Sequence, residues 1–235
     1  MLNKKHLTRV FLNEKLLLKS MQPMLITVTL STVFIFPILF CFIYKNQPEM
    51  FYGSVVNLSQ RCFPFFCALL NIFILRNYIE HYNCEIYFLY SKTKLRESVL
   101  MLFLYLTELL VPLFICVCVE KNMVFEFIRV ICQCTFFSAL SYALMFITMS
   151  VPISLSVIFI YLMISIYNTS AYMKCFVFCS YEEMNAYNIW KTIVVLMISS
   201  LVMYIIGFLF NSFRCKNYIN ISWVLGILVC YFTIG

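Results

Sequence analysis

Between Met24 and Ile234 the chain strings together uncharged apolar runs, most of them long enough to cross a bilayer, and gathers its charges in the gaps. A 30 Å hydrocarbon core takes about 20 helical residues, so the pattern is that of an all-α polytopic membrane protein. Composition agrees: a soluble domain carries about 25% charged residues, whereas this chain is 11% charged and 63% hydrophobic. Its 235 residues are used up by six or seven spans and leave no room for a soluble catalytic or nucleotide-binding domain.

The spans read as 24–44, 62–79, 98–119, 127–149, 152–167 and 192–210, in one transmembrane domain over 1–235. The second must tolerate Pro64 near its start and Arg76 near its end, the latter by snorkelling toward head groups. Phe127 to Tyr167 carries only Arg129 as a charge and is about twice the length of one helix. Ser150-Val151-Pro152 offers the break, because the residue before a proline is disfavoured in the α region. A last apolar stretch, 219–234, is either a short seventh span or a re-entrant tail.

The formal net charge is +7, from 17 Lys and Arg against 10 Glu, with no Asp. In a chain of this hydropathy such an excess points to topology and anionic lipid heads rather than nucleic acid. With the amino terminus in the cytoplasm, the outer loops hold Lys45, Arg61, Lys121, Arg129, Lys174 and Lys191, six of the 17, and the other eleven lie inside. The positive-inside bias therefore predicts a multi-pass protein of the cell membrane with a cytoplasmic amino terminus.

Twelve cysteines suggest a scaffold until they are placed. Cys41, Cys67, Cys116, Cys118, Cys132, Cys134 and Cys230 fall inside apolar segments, where a thiol behaves as a small hydrophobe. No C-x-x-C pair occurs, and the Glu182/Glu183 pair lacks the histidines of an intramembrane metal site, so no metal is expected. Only His6 and His81 supply imidazole, and no metalloprotease, nucleophile-elbow or phosphate-loop motif is present, so neither catalytic residues nor a cofactor in this chain are expected.

Residues 1–22 form no span. Leu7, Val10, Phe11, Leu17, Leu18 and Met21 nonetheless recur at helical spacing among Lys4, Lys5 and Arg9, the pattern of an interfacial helix, with Glu14 breaking its apolar face. The plainer reading is a basic tail that only fixes orientation. Between spans two and three, Arg76 to Glu97 is a charged, aromatic-rich hairpin in which Glu80, Glu85, Lys92, Lys94 and Arg96 alternate with Ile79, Ile86, Phe88 and Leu89. Its pieces could show one side to a partner and one to water, or form a solvated loop.

Six spans, a basic amphipathic amino-terminal segment, and Glu80-His81-Tyr82-Asn83-Cys84-Glu85 leading into a Lys/Arg-rich run resemble the membrane (permease) subunit of type-2 ABC exporters. The resemblance covers nearly the whole chain in layout but rests on few identities. The family usually has Gly where Asn83 or Cys84 stands, and often stops soon after its last helix, unlike 219–234 here. It implies a bacterial exporter subunit that pairs with a like or related permease. A cytoplasmic ATP-binding cassette subunit, which carries the ATP and magnesium, would dock on Glu80, Glu85, Lys92, Lys94 and Arg96. The competing class is a non-transporting accessory, immunity or receptor protein.

Glu108 lies near the middle of span 98–119, where an ionised carboxylate costs about 2.5–3.5 kcal/mol by insertion scales. It should face protein or a wet cavity, either on a translocation path or in a buried hydrogen bond to Thr107, or to a serine or a tyrosine of a neighbouring helix. Tyr167 to Trp190 form an aromatic outer segment, read as interfacial pieces or as an aromatic belt. Without a G-x-x-x-G motif, close helix contact should use small residues such as Ser138, Ala139, Ser141 and Ala143.

Overall fold

The computed structural model describes residues 23–46, 48–79, 94–167 and 186–217. Its elements are all helical: α1 (Pro23–Asn46), α2 (Phe51–Ile79), α3 (Lys94–Val119), α4 (Met123–Thr148), α5 (Val151–Tyr167) and α6 (Ala186–Asn217), with a 3₁₀ turn at Pro48–Met50. Five of them, all but α5, are long and apolar enough to cross a membrane, and α5 is a shorter apolar helix. Several such helices in one chain mark a membrane protein. The amino-terminal segment 1–22 and the tail 219–234 lie outside the described residues.

Short connections reverse the chain between α1 and α2, α3 and α4, and α4 and α5. Side-chain contacts then identify two ends of the bundle. At one, Tyr52 of α2 donates its hydroxyl to Glu126 of α4. At the other, Tyr78 of α2 donates to Glu97 of α3, and Lys94 of α3 donates to Asn211 of α6.

The core is built around α4. In its spanning part 72% of residues are buried, and 61% in α2, against 28% in α1, 22% in α3 and 17% in α6. The outer helices turn Phe34, Ile38, Phe103, Phe114, Ile198 and Leu201 outward, the arrangement expected of lipid-facing side chains. Hydrocarbon is as apolar as leucine, so packing and interhelical hydrogen bonds must hold the bundle together. Aromatic contacts do part of this: Phe36 of α1 meets Phe63 of α2 edge-on at 4.9 Å, and Phe137 of α4 lies 5.8 Å from Tyr161 of α5.

The small residues of α4 sit where close approach was expected. Ser138, Ala139, Ser141 and Ala143 are all buried, and the facing residue of α6 is Gly207. A Cβ on Gly207 would stand 2.5 Å from Tyr142 Cδ1 and 3.0 Å from Ala143 Cα. Beside it, the Ser138 hydroxyl is 2.9 Å from the Tyr204 hydroxyl, and Asn71 of α2 donates to the Ser138 carbonyl at 2.6 Å and to Ser141 Oγ at 2.7 Å. One stretch of α4 thus accepts α6 by size and α2 by hydrogen bonding.

Several elements depart from the sequence expectation. The second helix begins at Phe51, not at residue 62, and includes Ser59, Gln60 and Arg61. Those residues read as loop, yet Ser59 and Gln60 are buried in the bundle. Arg76 and Ile79 continue α2, and Lys94 to Glu97 open α3, so the roots of the presumed hairpin are helix. Arg129, assigned above to an outer loop, is 1% exposed inside α4. The break between α4 and α5, by contrast, falls where it was expected, at Met149 and Ser150 just before Val151-Pro152, with Met149 left-handed at φ 54° and its N–H bonded to the Met145 carbonyl at 3.0 Å.

Gly207→Val should destabilise the bundle by about 1–3 kcal/mol, because the Tyr142 ring is held between Phe146 and Tyr204 and has little room to yield. Thermal unfolding of the purified chain in mild detergent checks this. An unchanged midpoint would mean that α4 and α6 are not in contact here.

Candidate functional site

Three groups of buried polar side chains stand out, and each is assembled from helices far apart in sequence. The first surrounds Glu108, the fifteenth residue of α3 and so roughly 21 Å from its start at 1.5 Å per residue. Thr29 of α1 donates to one carboxyl oxygen at 2.8 Å, and Thr32 donates to the other at 3.4 Å. The hydrogen-bond partners expected for Glu108, Thr107 or a serine or tyrosine of a neighbouring helix, are not the ones present: two threonines of α1 take that place. Thr107 turns instead to the Leu104 carbonyl at 2.6 Å.

Beside this carboxyl α1 changes its winding. Residues Ser31–Ile35 are π-helical, with the Phe36 N–H reaching back to the Ser31 carbonyl. Single π turns inside α-helices occur often at functional positions, since they widen the coil and shift side chains off the regular register. Thr32 lies within the π turn, and its hydroxyl is also 3.0 Å from the Val28 carbonyl and 3.3 Å from that of Thr29. Its one proton is therefore shared among three acceptors, which leaves the second oxygen of Glu108 the less well served.

The second group lies at the Tyr78 end. Lys94 is 1% exposed, donates to Asn211 Oδ1 at 3.0 Å, and its ammonium is 5.6 Å from the centre of the Phe146 ring. An ammonium over an aromatic face recovers part of its lost hydration. One turn further on, the Glu97 carboxylate accepts from Tyr78. Lys94 and Glu97 thus tie the start of α3 to α2, α4 and α6. The third group, at the opposite end, holds the Glu126–Arg129 ion pair inside α4, with Tyr52 donating to Glu126 at 2.8 Å. Glu126 is 2% exposed, as buried as its partner.

The expected site residues separate into those described and those not. Glu80, Glu85 and Lys92 lie outside the described residues, as do Lys4, Lys5, Arg9 and Phe11. Of the rest, Arg96 is exposed, whereas Lys94 turns into the bundle, where its ammonium is engaged by Asn211 rather than offered outward. Sequence reasoning missed the roles of Asn211, Tyr78 and Glu97, because one falls past the expected end of span six and the others lay in a stretch read as hairpin. No group of three metal-binding side chains occurs among the described residues.

Glu126→Gln should lower stability by about 3–5 kcal/mol, because it strips the buried Arg129 of its counter-charge, and the variant should accumulate poorly in membranes. Glu126→Gln combined with Arg129→Met should recover much of the loss, since the stranded charge goes with it. Equal levels of the single variant and the native chain by quantitative blot of membranes would refute the pairing. Compared with known proteins, the chain matches no protein-family model, no curated protein and no solved structure.

Proposed function

We propose that this chain is the permease subunit of an ATP-driven exporter, coupled to a separate cytoplasmic ATPase through the connector between α2 and α3. One observation carries the reading: both roots of that connector are fastened to the bundle and to each other. Tyr78, just before it, bonds Glu97, just after it, and Lys94 engages Asn211 of α6 and the Phe146 ring of α4. A solvated loop needs no such anchorage, since charged loop residues are satisfied by water. A connector that receives force does, because displacement reaches the spans only through groups that hold their geometry.

On this reading the partner ATPase grips 80–93 through Glu80 and Glu85, and Arg96 adds an exposed positive charge at the root. Closure of the ATPase moves the ends of α2 and α3 as one piece, and Lys94 carries the movement to α4 and α6. The outward apolar faces of α1, α3 and α6 meet lipid or a second permease chain, alike or related. ATP and magnesium belong to the partner, the amino terminus and connector are cytoplasmic, and the protein resides in a bacterial cell membrane.

Reversal of both acids, Glu80→Lys with Glu85→Lys, should abolish co-purification of an ATPase with the tagged chain while leaving membrane insertion intact. Tyr78→Phe should keep the ATPase bound but reduce transport, because the root is then loosened rather than the dock. Unchanged ATPase recovery in the first variant would count decisively against the docking assignment.

Orientation has its own check. Cys84 should resist membrane-impermeant maleimide in intact cells and react after permeabilisation; labelling from outside would turn the connector to the wrong side and remove the exporter reading.

A further inference from the structure

Glu108 differs from every other buried acid described here. Glu97 has Tyr78 within a cluster containing Lys94, and Glu126 has Arg129, but the partners of Glu108 among the described residues are two hydroxyls. A carboxylate accepts at about four lone-pair positions. Here Thr29 supplies one good bond, and Thr32 supplies a long one that it shares with two backbone carbonyls. Charge and hydrogen-bonding capacity are both left over.

The group is also reachable. Glu108 is half-buried, in the crevice where α1 passes α3, and the residues around the crevice face outward. Leu104 and Val111, one turn to either side on α3, are 43% and 41% exposed, and Ile26 and Leu30, flanking Thr29 on α1, are both 49% exposed. A single acid is therefore set into an exposed apolar surface at mid-span depth. The ligand complementary to it has one positive hydrogen-bond donor and a long apolar body.

We propose that the α1–α3 crevice binds a cationic amphiphile from the bilayer, its primary ammonium received by Glu108 with Thr29 holding the carboxyl in place and its alkyl chain lying along Leu104, Val111, Ile26 and Leu30. An ammonium brings three donors and the counter-charge that none of the described residues supplies, so it answers both deficits at once. Thr29 and Thr32, three residues apart on α1, share a face and so reach the same carboxyl, and the π turn at Ser31–Ile35 lies beside it. As a statement of exported cargo this rests on the exporter reading, but binding needs no ATPase, so the two can fail separately.

The test uses the full chain in phosphatidylcholine nanodiscs, which carry no net surface charge to concentrate cations. N,N′-Dicyclohexylcarbodiimide modifies carboxyls within membranes, and its adduct on the peptide containing Glu108 is followed by mass spectrometry. Dodecylammonium should slow adduct formation several-fold, whereas dodecanol, with the same chain and no charge, should leave the rate unchanged. Thr29→Val should weaken the dodecylammonium protection several-fold while the adduct still forms. Glu108→Gln should elute as a normal nanodisc particle and lose most binding of a fluorescent dodecylammonium.

Equal slowing by alcohol and ammonium would reduce the crevice to a non-specific apolar surface and overturn the proposal. Failure of the native chain to form the adduct would mean that the crevice is covered by another chain, and would overturn it equally. Loss of transport or of ATPase binding without any change in these rates would strike the exporter reading alone.

Discussion

A bilayer core offers no water to a polar group, so each one that a spanning helix carries inward must find its partner on another helix or on its own. In this chain α4 answers that requirement for most of the bundle. It holds Arg129 with Glu126 near one end, Asn71 of α2 and Tyr204 of α6 at Ser138 and Ser141 in its middle, and the Lys94 ammonium over Phe146 near the other. Burial follows from this. Helix α4 is the most enclosed because its partners approach from several sides, and α3 and α6 can stay largely lipid-facing because each needs only one polar face against it.

The same requirement explains what could be read in the sequence and what could not. Long uncharged runs announce themselves, so the helical class and the break before Pro152 were legible, and Ser138 to Ala143 were recognisable as a close-packing face. The extent of α2 was not. Ser59, Gln60 and Arg61 resemble loop residues to any rule that counts charge and polarity along the chain. Nothing local says that Tyr52 and Glu126, 74 positions apart, come together at that end of the bundle.

Arg129 went astray for a related reason. A ledger of positive charges presumes that each one marks a membrane face, but an arginine whose acid sits three residues earlier on the same helix carries its own counter-ion inward. The Glu126-x-x-Arg129 spacing was the available signal, and it competed with the habit of assigning charges to loops. Glu108 shows the opposite case: its isolation on the helix marked it at once, while Thr29 and Thr32, nearly 80 positions away and ordinary in any apolar span, gave no sign of being its partners. The π turn at Ser31–Ile35 has no sequence signature in this chain that we can identify.

The three polar groups therefore differ in kind. Two are closed: Glu126 is paired with Arg129, and Lys94 and Glu97 are each bonded to a neighbouring helix, so these groups lock the helices together. The third is open: its acid lacks a counter-charge among the described residues and sits where α1 departs from regular winding, beside exposed apolar side chains. Closed groups make helices move together, and an open one gives an external molecule something to hold. On the exporter proposal the chain uses both, and α3 holds them at different depths rather than on different faces, since Glu97 and Glu108 are about three turns apart on the same side of the helix. Tyr78 and Lys94 join the start of α3 to α2, α4 and α6, whereas Glu108 joins its middle to α1, so α3 is the helix that carries both kinds of group.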